Sequence, residues 1–376
     1  LQDLWSVLRG QFGLRQHPDF ERDCQALTDI TSDHKARIET ELPSGYAVPR
    51  TTEKASFRTV VADNPVTVVF GESGCGKSAL VKSVLDAEFP SWNQVWFGPE
   101  ELKTALSAAR RSSLPLRHEL SLVLNAAVKP TNVLVIDSAE RIEAAEYLVI
   151  RQLLQAILPV VGETEGTWRV VIVTQTQGWV EGEETILGGR KAELVELEQV
   201  TTGDVKLALL PSPALGWLAG HDDTIAALTN LRTLGWVIKA GAALGSNDSG
   251  LASHTAIAGR LWKYWTQDRA DVQALMMRLA QREASFERSF ALTDLDPADT
   301  TTFTRRPAEL PLRLNERTNR VEFEHDLAAD WARFQFLKQV WTNTPQWTAL
   351  VENPLWTNPL RRLAQFLLRQ PAGVGT

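Results

Sequence analysis

The chain has 376 residues, 44% hydrophobic and 23% charged, with a formal net charge of −7, two cysteines and six histidines. By the prior of ~150 residues per domain this length implies two to three domains, and the composition is that of a well-cored globular protein. It excludes a disulfide framework, a spaced histidine–cysteine metal cluster and a whole-surface polyanion binder, and it offers no apolar run near the ~20 residues of a membrane span.

No charged-then-apolar leader opens the chain, so a reducing, cytoplasmic setting is expected. The start at Leu1 rather than Met reads as a piece of something longer. Residues 1–46 form a helical lead-in. Leu4, Trp5, Leu8 and Phe12 share one face of a first helix, His17-Pro18-Asp19 breaks it, and a second runs from Phe20 to Leu42. Pro43, Ser44 and Gly45 then make a turn. Residues 47–200 alternate short apolar runs with helices, the signature of a parallel α/β sheet. Strands are predicted at Val66–Phe70, Gln94–Phe97, Asn132–Ile136, Arg169–Val173 and Glu193–Leu197. Helices are predicted at 77–87, 99–128 with an interruption near Pro115, and 140–158, with a looser segment after Gln177 and a polar loop at Gly162–Gly166. Residues 201–267 read as a helical domain opened by Thr201-Thr202-Gly203-Asp204 and broken at Gly245–Gly250. In 268–340 a helix at Ala270–Glu283, a strand pair at Leu310–Leu314 and Val321–Glu324, and a helix from Asp326 to Val340 suggest a winged-helix unit. Residues 341–376 read as short helices separated by Pro345, Pro354 and Pro359. The 13 tryptophans are expected to fill core and interface positions.

Gly71-Glu72-Ser73-Gly74-Cys75-Gly76-Lys77-Ser78 fits G-x-x-x-x-G-K-[ST], between an apolar strand and an amphipathic helix that opens at Ala79. The glycines let backbone N–H groups turn inward on phosphate oxygens, and the helix start adds its dipole. Lys77 supplies a mobile charge for the β/γ-phosphates and Ser78 a hydroxyl for Mg²⁺. Cys75 is read as a small filler. The run Asn132-Val133-Leu134-Val135-Ile136-Asp137 places a second Mg²⁺-site group, Asp137, at a strand's carboxyl end. Three residues on, Glu140 is a candidate to polarise the attacking water, or else an acid stabilising the first turn of the next helix. Thr174 and Gln175, at another strand end, are candidates to feel a γ-phosphate, with ordinary strand-end polarity as the competing reading. No Asn-Lys-x-Asp guanine-reading segment is present, which leaves adenine as the default base.

With these parts the chain resembles the STAND NTPases over roughly residues 46–340. These are signal-transduction ATPases that include animal and plant NLR receptors and bacterial antiviral homologues. Val48-Pro49-Arg50-x-x-Glu53 looks like the family's lead-in motif, whose backbone cradles adenine, and Leu194–Leu197 with Thr201–Leu210 looks like its last strand and first helical-domain helix. Phe323-Glu324-His325-Asp326 looks like the winged-helix His-Asp motif, in which the histidine reaches the β-phosphate of ADP; Asp326 as a plain helix cap is the competing reading. The chain lacks the arginine the family carries after the fourth strand, and has Gly235 where a proline often faces adenine.

The resemblance implies an α/β P-loop NTPase fold (a five-stranded parallel sheet, ASCE/AAA+-like) followed by helical and winged-helix domains, and a slow ATPase that binds ATP or ADP with Mg²⁺. It implies a nucleotide-switched core, ADP-closed and ATP-open, whose homo-oligomerisation controls an effector outside this chain. A protein trigger would be sensed C-terminal to the core, with 341–376 beginning the sensor. An ATP-dependent transcription regulator and an AAA+-type remodelling ATPase are the alternatives. The helix at 326–340 carries Arg333 and Lys338 against Asp326 and Asp330, so direct nucleic-acid binding is not expected of it. No membrane partner is expected.

Overall fold

Five short strands, most of them apolar runs, build one parallel sheet in the computed structural model, which describes residues 20–126, 129–158, 167–176, 184–244, 254–285, 289–315, 319–342 and 350–368. The readings at Leu1–Leu14, His17–Asp19, Gly162–Gly166, residues 177–183, Gly245–Gly250 and Pro345 lie outside these residues, while the looser segment after Gln177 forms a short helix at 184–187. The described chain divides into two compact units. The first takes the residues up to Thr40, Arg50–Gly71 and Lys77–Leu197; the second takes Glu41–Pro49, Glu72–Gly76 and the residues from Glu198 onward.

In the first unit, helices α1 (Glu21–Ala36) and α2 (Thr51–Asp63) precede β1 (Val66–Gly71), α3 (Lys77–Glu88), β2 (Asn93–Phe97), α4 (Pro99–Leu106), α5 (Leu120–Asn125), β3 (Asn132–Ile136), α6 (Tyr147–Ile157), β4 (Trp168–Gln175) and β5 (Glu193–Leu197). The strands are ordered β2-β3-β4-β1-β5, every neighbouring pair parallel. This is the five-stranded parallel α/β sheet expected, with β4 between the strand that feeds the glycine loop and the strand that ends at Asp137. Sheets covered on both faces need continuous apolar runs, and Val133–Val135 and Val170–Val171 are fully buried accordingly.

All five strand expectations match to within two residues, but the helices differ. The helical stretch expected at 99–128 with an interruption near Pro115 is α4, a 3₁₀ turn at Arg111–Ser113, and α5; the interruption is present but spans residues 107–119. Leu114 and Leu116 between them are buried by loop packing rather than by helical periodicity. The helix expected from residue 140 starts at Tyr147, after 3₁₀ turns at Ala139–Arg141 and Ala144–Glu146. The helix expected to run to Leu42 ends at Ala36. Helix α2, not among the expected elements, buries only Phe57 and Val61 and so carries no apolar stripe in the sequence.

In the second unit, α7 (Thr202–Leu209), α8 (Asp222–Ala227), α9 (Leu231–Ala240) and α10 (His254–Thr266) share a core with α11 (Ala270–Ala284), β6 (Phe290–Ala291), α12 (Pro297–Thr304), β7 (Leu312–Asn315), β8 (Arg320–Phe323) and α13 (Asp326–Val340). Thr201 opens α7 with a capping box: its hydroxyl takes the Asp204 N–H at 3.1 Å, and the Asp204 carboxylate takes the Thr201 N–H at 3.1 Å. The expected strand pair forms antiparallel, joined by β6 in the order β6-β8-β7. Trp236, Trp265 and Trp331 pack mutually with ring centroids 5.0–5.4 Å apart. Pro359 lies within α14 (Thr357–Leu368) instead of separating helices; in the first turn its missing N–H costs no hydrogen bond. Among the described residues no helix is long and apolar enough to cross a membrane.

Candidate nucleotide and magnesium site

The chain leaves β1 at Gly71, passes through 72–76 and enters α3 at Lys77. Gly74 and Gly76 stand at φ +79° and +99°, in the region that side chains disfavour. A Cβ at Gly74 would also meet Asn230 Oδ1 at 2.6 Å. Within the second unit the loop is held by the start of α9: Asn230 Nδ2 donates to Ser73 O (2.6 Å), and Arg232 N donates to Gly74 O (3.2 Å). Asn230 Oδ1 meanwhile accepts from Thr233 N at 3.1 Å and caps α9. Cys75 is fully buried in the loop, as a filler would be. Glu72 accepts from the Gln199 side chain.

In the first unit Lys77 is buried, its ammonium donating to Gly71 O at 3.0 Å. Ser78 Oγ donates to Asp137 Oδ1 at 2.7 Å, so the two residues assigned to the metal are in direct contact. Ala79 follows in the first turn of α3. Ser138, directly after Asp137, adopts a left-handed φ of +60°, a strained conformation of the kind that gathers at functional sites. Asp137 is buried, which alone would push its carboxyl up. The hydrogen bonds from His34 and Ser78 and the charge of Lys77 outweigh that and hold it below its ordinary value. Its second oxygen, Oδ2, accepts from His34 Nε2 at 3.0 Å. Nothing in the sequence pattern marked His34: it is distant in the chain and sits on a helix read as a lead-in.

Glu140 lies in the 3₁₀ turn after Ser138, not in the first turn of a long helix, and accepts from both Gln175 N and Gln175 Nε2 at 3.2 Å. Gln175 pairs in register with Gly71 across β1 and β4, and buried Thr174 pairs with Phe70. The geometry therefore brings together Gly71, Lys77, Ser78, Asp137, Glu140 and the end of β4.

Arg50, at φ +47°, precedes α2 and pairs with Glu53 at 2.9 Å, which ties the two charged ends of the lead-in motif together. Val48 packs on the core of the second unit, and Pro49 follows it there. His325 is itself the N-cap of α13, its Nδ1 accepting from Leu327 N at 3.2 Å, so the cap expected of Asp326 belongs to the histidine. Its ring stands edge-on to Trp236, centroids 6.0 Å apart. Space beside Gly235 is ordinary: a Cβ would meet Leu42 at 3.6 Å.

These groups fit magnesium nucleotide. Among the described residues no three His, Cys, Asp or Glu side chains gather to hold a metal alone. Magnesium bound with phosphates asks for only one or two protein oxygens, and Ser78 and Asp137 present them together.

No family model and no curated protein matches the chain. Among solved structures it is similar to a Walker-type ATPase of Pyrococcus abyssi (13% identity, TM-score 0.38), covering 76% of this chain and 95% of that one. It is also similar to a STAND protein with a tetratricopeptide-repeat sensor from Pyrococcus horikoshii (13% identity, TM-score 0.43), covering 89% of this chain and 47% of that one. A third likeness is to the Orc1 protein of Aeropyrum pernix, solved in complex with DNA (13% identity, TM-score 0.43), covering 75% of this chain and 91% of that one.

Proposed function

We propose that the chain is the nucleotide-switched ATPase core of a STAND-type signalling protein, binding ATP or ADP with Mg²⁺ and turning over slowly, in the manner of NLR-like bacterial defence proteins. The observation that carries the nucleotide reading is the Ser78–Asp137 hydrogen bond, which joins the glycine-loop helix to the end of β3. Bound magnesium would neutralise charge on the β- and γ-phosphates. Lys77 would turn from Gly71 O to the phosphate oxygens, and Ser78 and Asp137 would hold the ion. Glu140, kept in place by Gln175, would orient the attacking water, and Thr174 and Gln175 would register the γ-phosphate. Val48, Pro49 and Arg50 would border the base.

The switch needs a group that favours one nucleotide state, since a ligand shifts an equilibrium only by its differential affinity. His325 is assigned that role toward ADP, with self-association on exchange for ATP and an effector and trigger-sensing region outside this chain. The transcription-regulator alternative is disfavoured by α13. Residues Leu327–Phe334 of that helix are buried without a break, and Arg333 is consumed by Glu283 at 3.1 Å, so it offers no basic face to a groove.

Titration of a fluorescent ATP analogue with Mg²⁺ tests the nucleotide reading. Wild type should bind and Lys77→Ala should not; equal affinity would refute the site.

A further inference from the structure

We propose that His34 is a positioning residue of the magnesium site: it holds one oxygen of Asp137 so that the other stays on Ser78, and helix α1 thereby sets how tightly the site takes the ion. The proposal rests on the nucleotide reading above and adds a component from outside the loop and the β3 end.

The donor is fixed. His34 Nε2 donates to Asp137 Oδ2 at 3.0 Å while Asp137 Oδ1 takes the Ser78 hydroxyl at 2.7 Å. His34 Nδ1 is buried and has no hydrogen-bond partner among the described residues, an arrangement that places the ring proton on Nε2. The imidazole lies against Trp96, ring centroids 6.0 Å apart. Gly98 leaves it room: a Cβ there would come within 3.3 Å of His34 Cε1 and 2.7 Å of Glu101 Oε2. Both oxygens of Asp137 are thus assigned before any ion arrives. A carboxylate held this way loses little rotational freedom on binding, which is how outer groups raise metal affinity.

The helix that carries His34 is anchored along its length. Near its start, buried Asp23 accepts from Arg117 N (2.6 Å), His118 N (3.1 Å) and His118 Nδ1 (2.9 Å). In its middle, Thr31 Oγ1 accepts from Trp96 N at 3.0 Å. At its end, Lys35 reaches Asp86 and Gln94, and Lys82 Nζ donates to the carbonyls of Lys35 (2.7 Å) and Ile38 (2.8 Å). Ala26, Leu27 and Ile30 are buried beneath. A histidine placed only to fill core would need no such partner as Asp137. Here the one carboxylate it holds is the one on Ser78.

The experiment measures binding of a fluorescent ATP analogue to the full chain in EDTA and across a Mg²⁺ series. It compares wild type with His34→Ala, His34→Asn, His34→Gln and Lys77→Ala. The Gln amide nitrogen can occupy the Nε2 position, whereas the shorter Asn cannot reach. His34→Ala and His34→Asn should keep wild-type affinity in EDTA yet need about tenfold more Mg²⁺ for half-saturation, at the lower end of the 10–100-fold seen for outer-group loss. His34→Gln should restore most of the Mg²⁺ affinity. Unmoved Mg²⁺ midpoints in both His34→Ala and His34→Asn, equal losses in EDTA and Mg²⁺, or a Gln variant no better than Asn would overturn the assignment. Lys77→Ala binding like wild type would overturn the nucleotide reading and this proposal together. Loss in Lys77→Ala beside an unmoved His34→Ala midpoint would overturn the His34 role alone.

Discussion

Asn230 holds two structures with one amide, and the two can be separated. Its Oδ1 caps α9 through Thr233 N at 3.1 Å, and its Nδ2 ties down Ser73 O of the glycine loop at 2.6 Å. Asn230→Ala removes a cap worth about 1 kcal/mol. It also leaves a part-buried carbonyl without its donor, for about 1 kcal/mol more, so the loss should be about 2 kcal/mol. Asn230→Ser restores a capping oxygen but cannot reach Ser73, and should lose only about 1 kcal/mol. With a urea m-value of about 2 kcal/mol/M, the Ala midpoint should fall by about 1 M and the Ser midpoint by about half that. Urea unfolding followed by tryptophan fluorescence reads both, since Trp236 lies within α9. A Ser variant no more stable than Ala, or an Ala variant matching wild type, would refute the division into cap and loop tie.

Glu140→Gln should bind ATP normally but turn it over about 100-fold more slowly. Gln175→Ala, which keeps one of the two donors to Glu140, should lower kcat about tenfold with KM little changed; steady-state phosphate release distinguishes them, and full activity in Glu140→Gln would return that residue to a turn-end acid. His325→Ala should weaken α13 by about 1 kcal/mol through the lost cap. If the residue also holds ADP, its loss should raise the ADP off-rate at least tenfold and the self-associated fraction with it, as read by nucleotide chase and sedimentation; an unchanged off-rate leaves it a cap alone. For Asp23, burial would push the carboxyl up, but the hydrogen bonds from His118 and Arg117 hold it below its ordinary value. Its stabilisation is therefore complete above the ordinary carboxylate range and lost as pH falls through the lowered folded value. Asp23→Asn should flatten the acid limb of stability against pH, and an unaltered limb would contradict this.

The sheet was legible chiefly from short apolar runs such as Val133–Ile136 and Val170–Val173, the pattern that two-sided burial demands; edge strand β5, Glu-Leu-Val-Glu-Leu, alternates instead. The glycine loop, Lys77 and Ser78 were legible because they are consecutive in the chain, and Asp137, 59 residues from Ser78, because it ends an unbroken apolar strand run. His34 was not, because 103 residues separate it from Asp137, and a lone histidine on a polar helix carries no spacing signal. Asn230 escaped for the same reason, 157 residues from Ser73. Residues 107–119 misled in the other direction: buried Leu114 and Leu116 stand only two apart, in a stretch that forms a 3₁₀ turn at Arg111–Ser113 and no α-helix.

Strand β2 is an edge of the five-stranded sheet, and α1 lies along it, Thr31 taking the Trp96 N–H that would otherwise face outward. Bare edges with apolar residues recruit strands from other chains. A fragment cut to begin at the first motif residues, near Val48, would uncover β2 together with Trp96 and Phe97, both fully buried in the intact unit. Such a fragment would keep every residue of the glycine loop and still be the version of this protein that precipitates. Expression boundaries for the nucleotide-binding unit therefore belong upstream of Phe20.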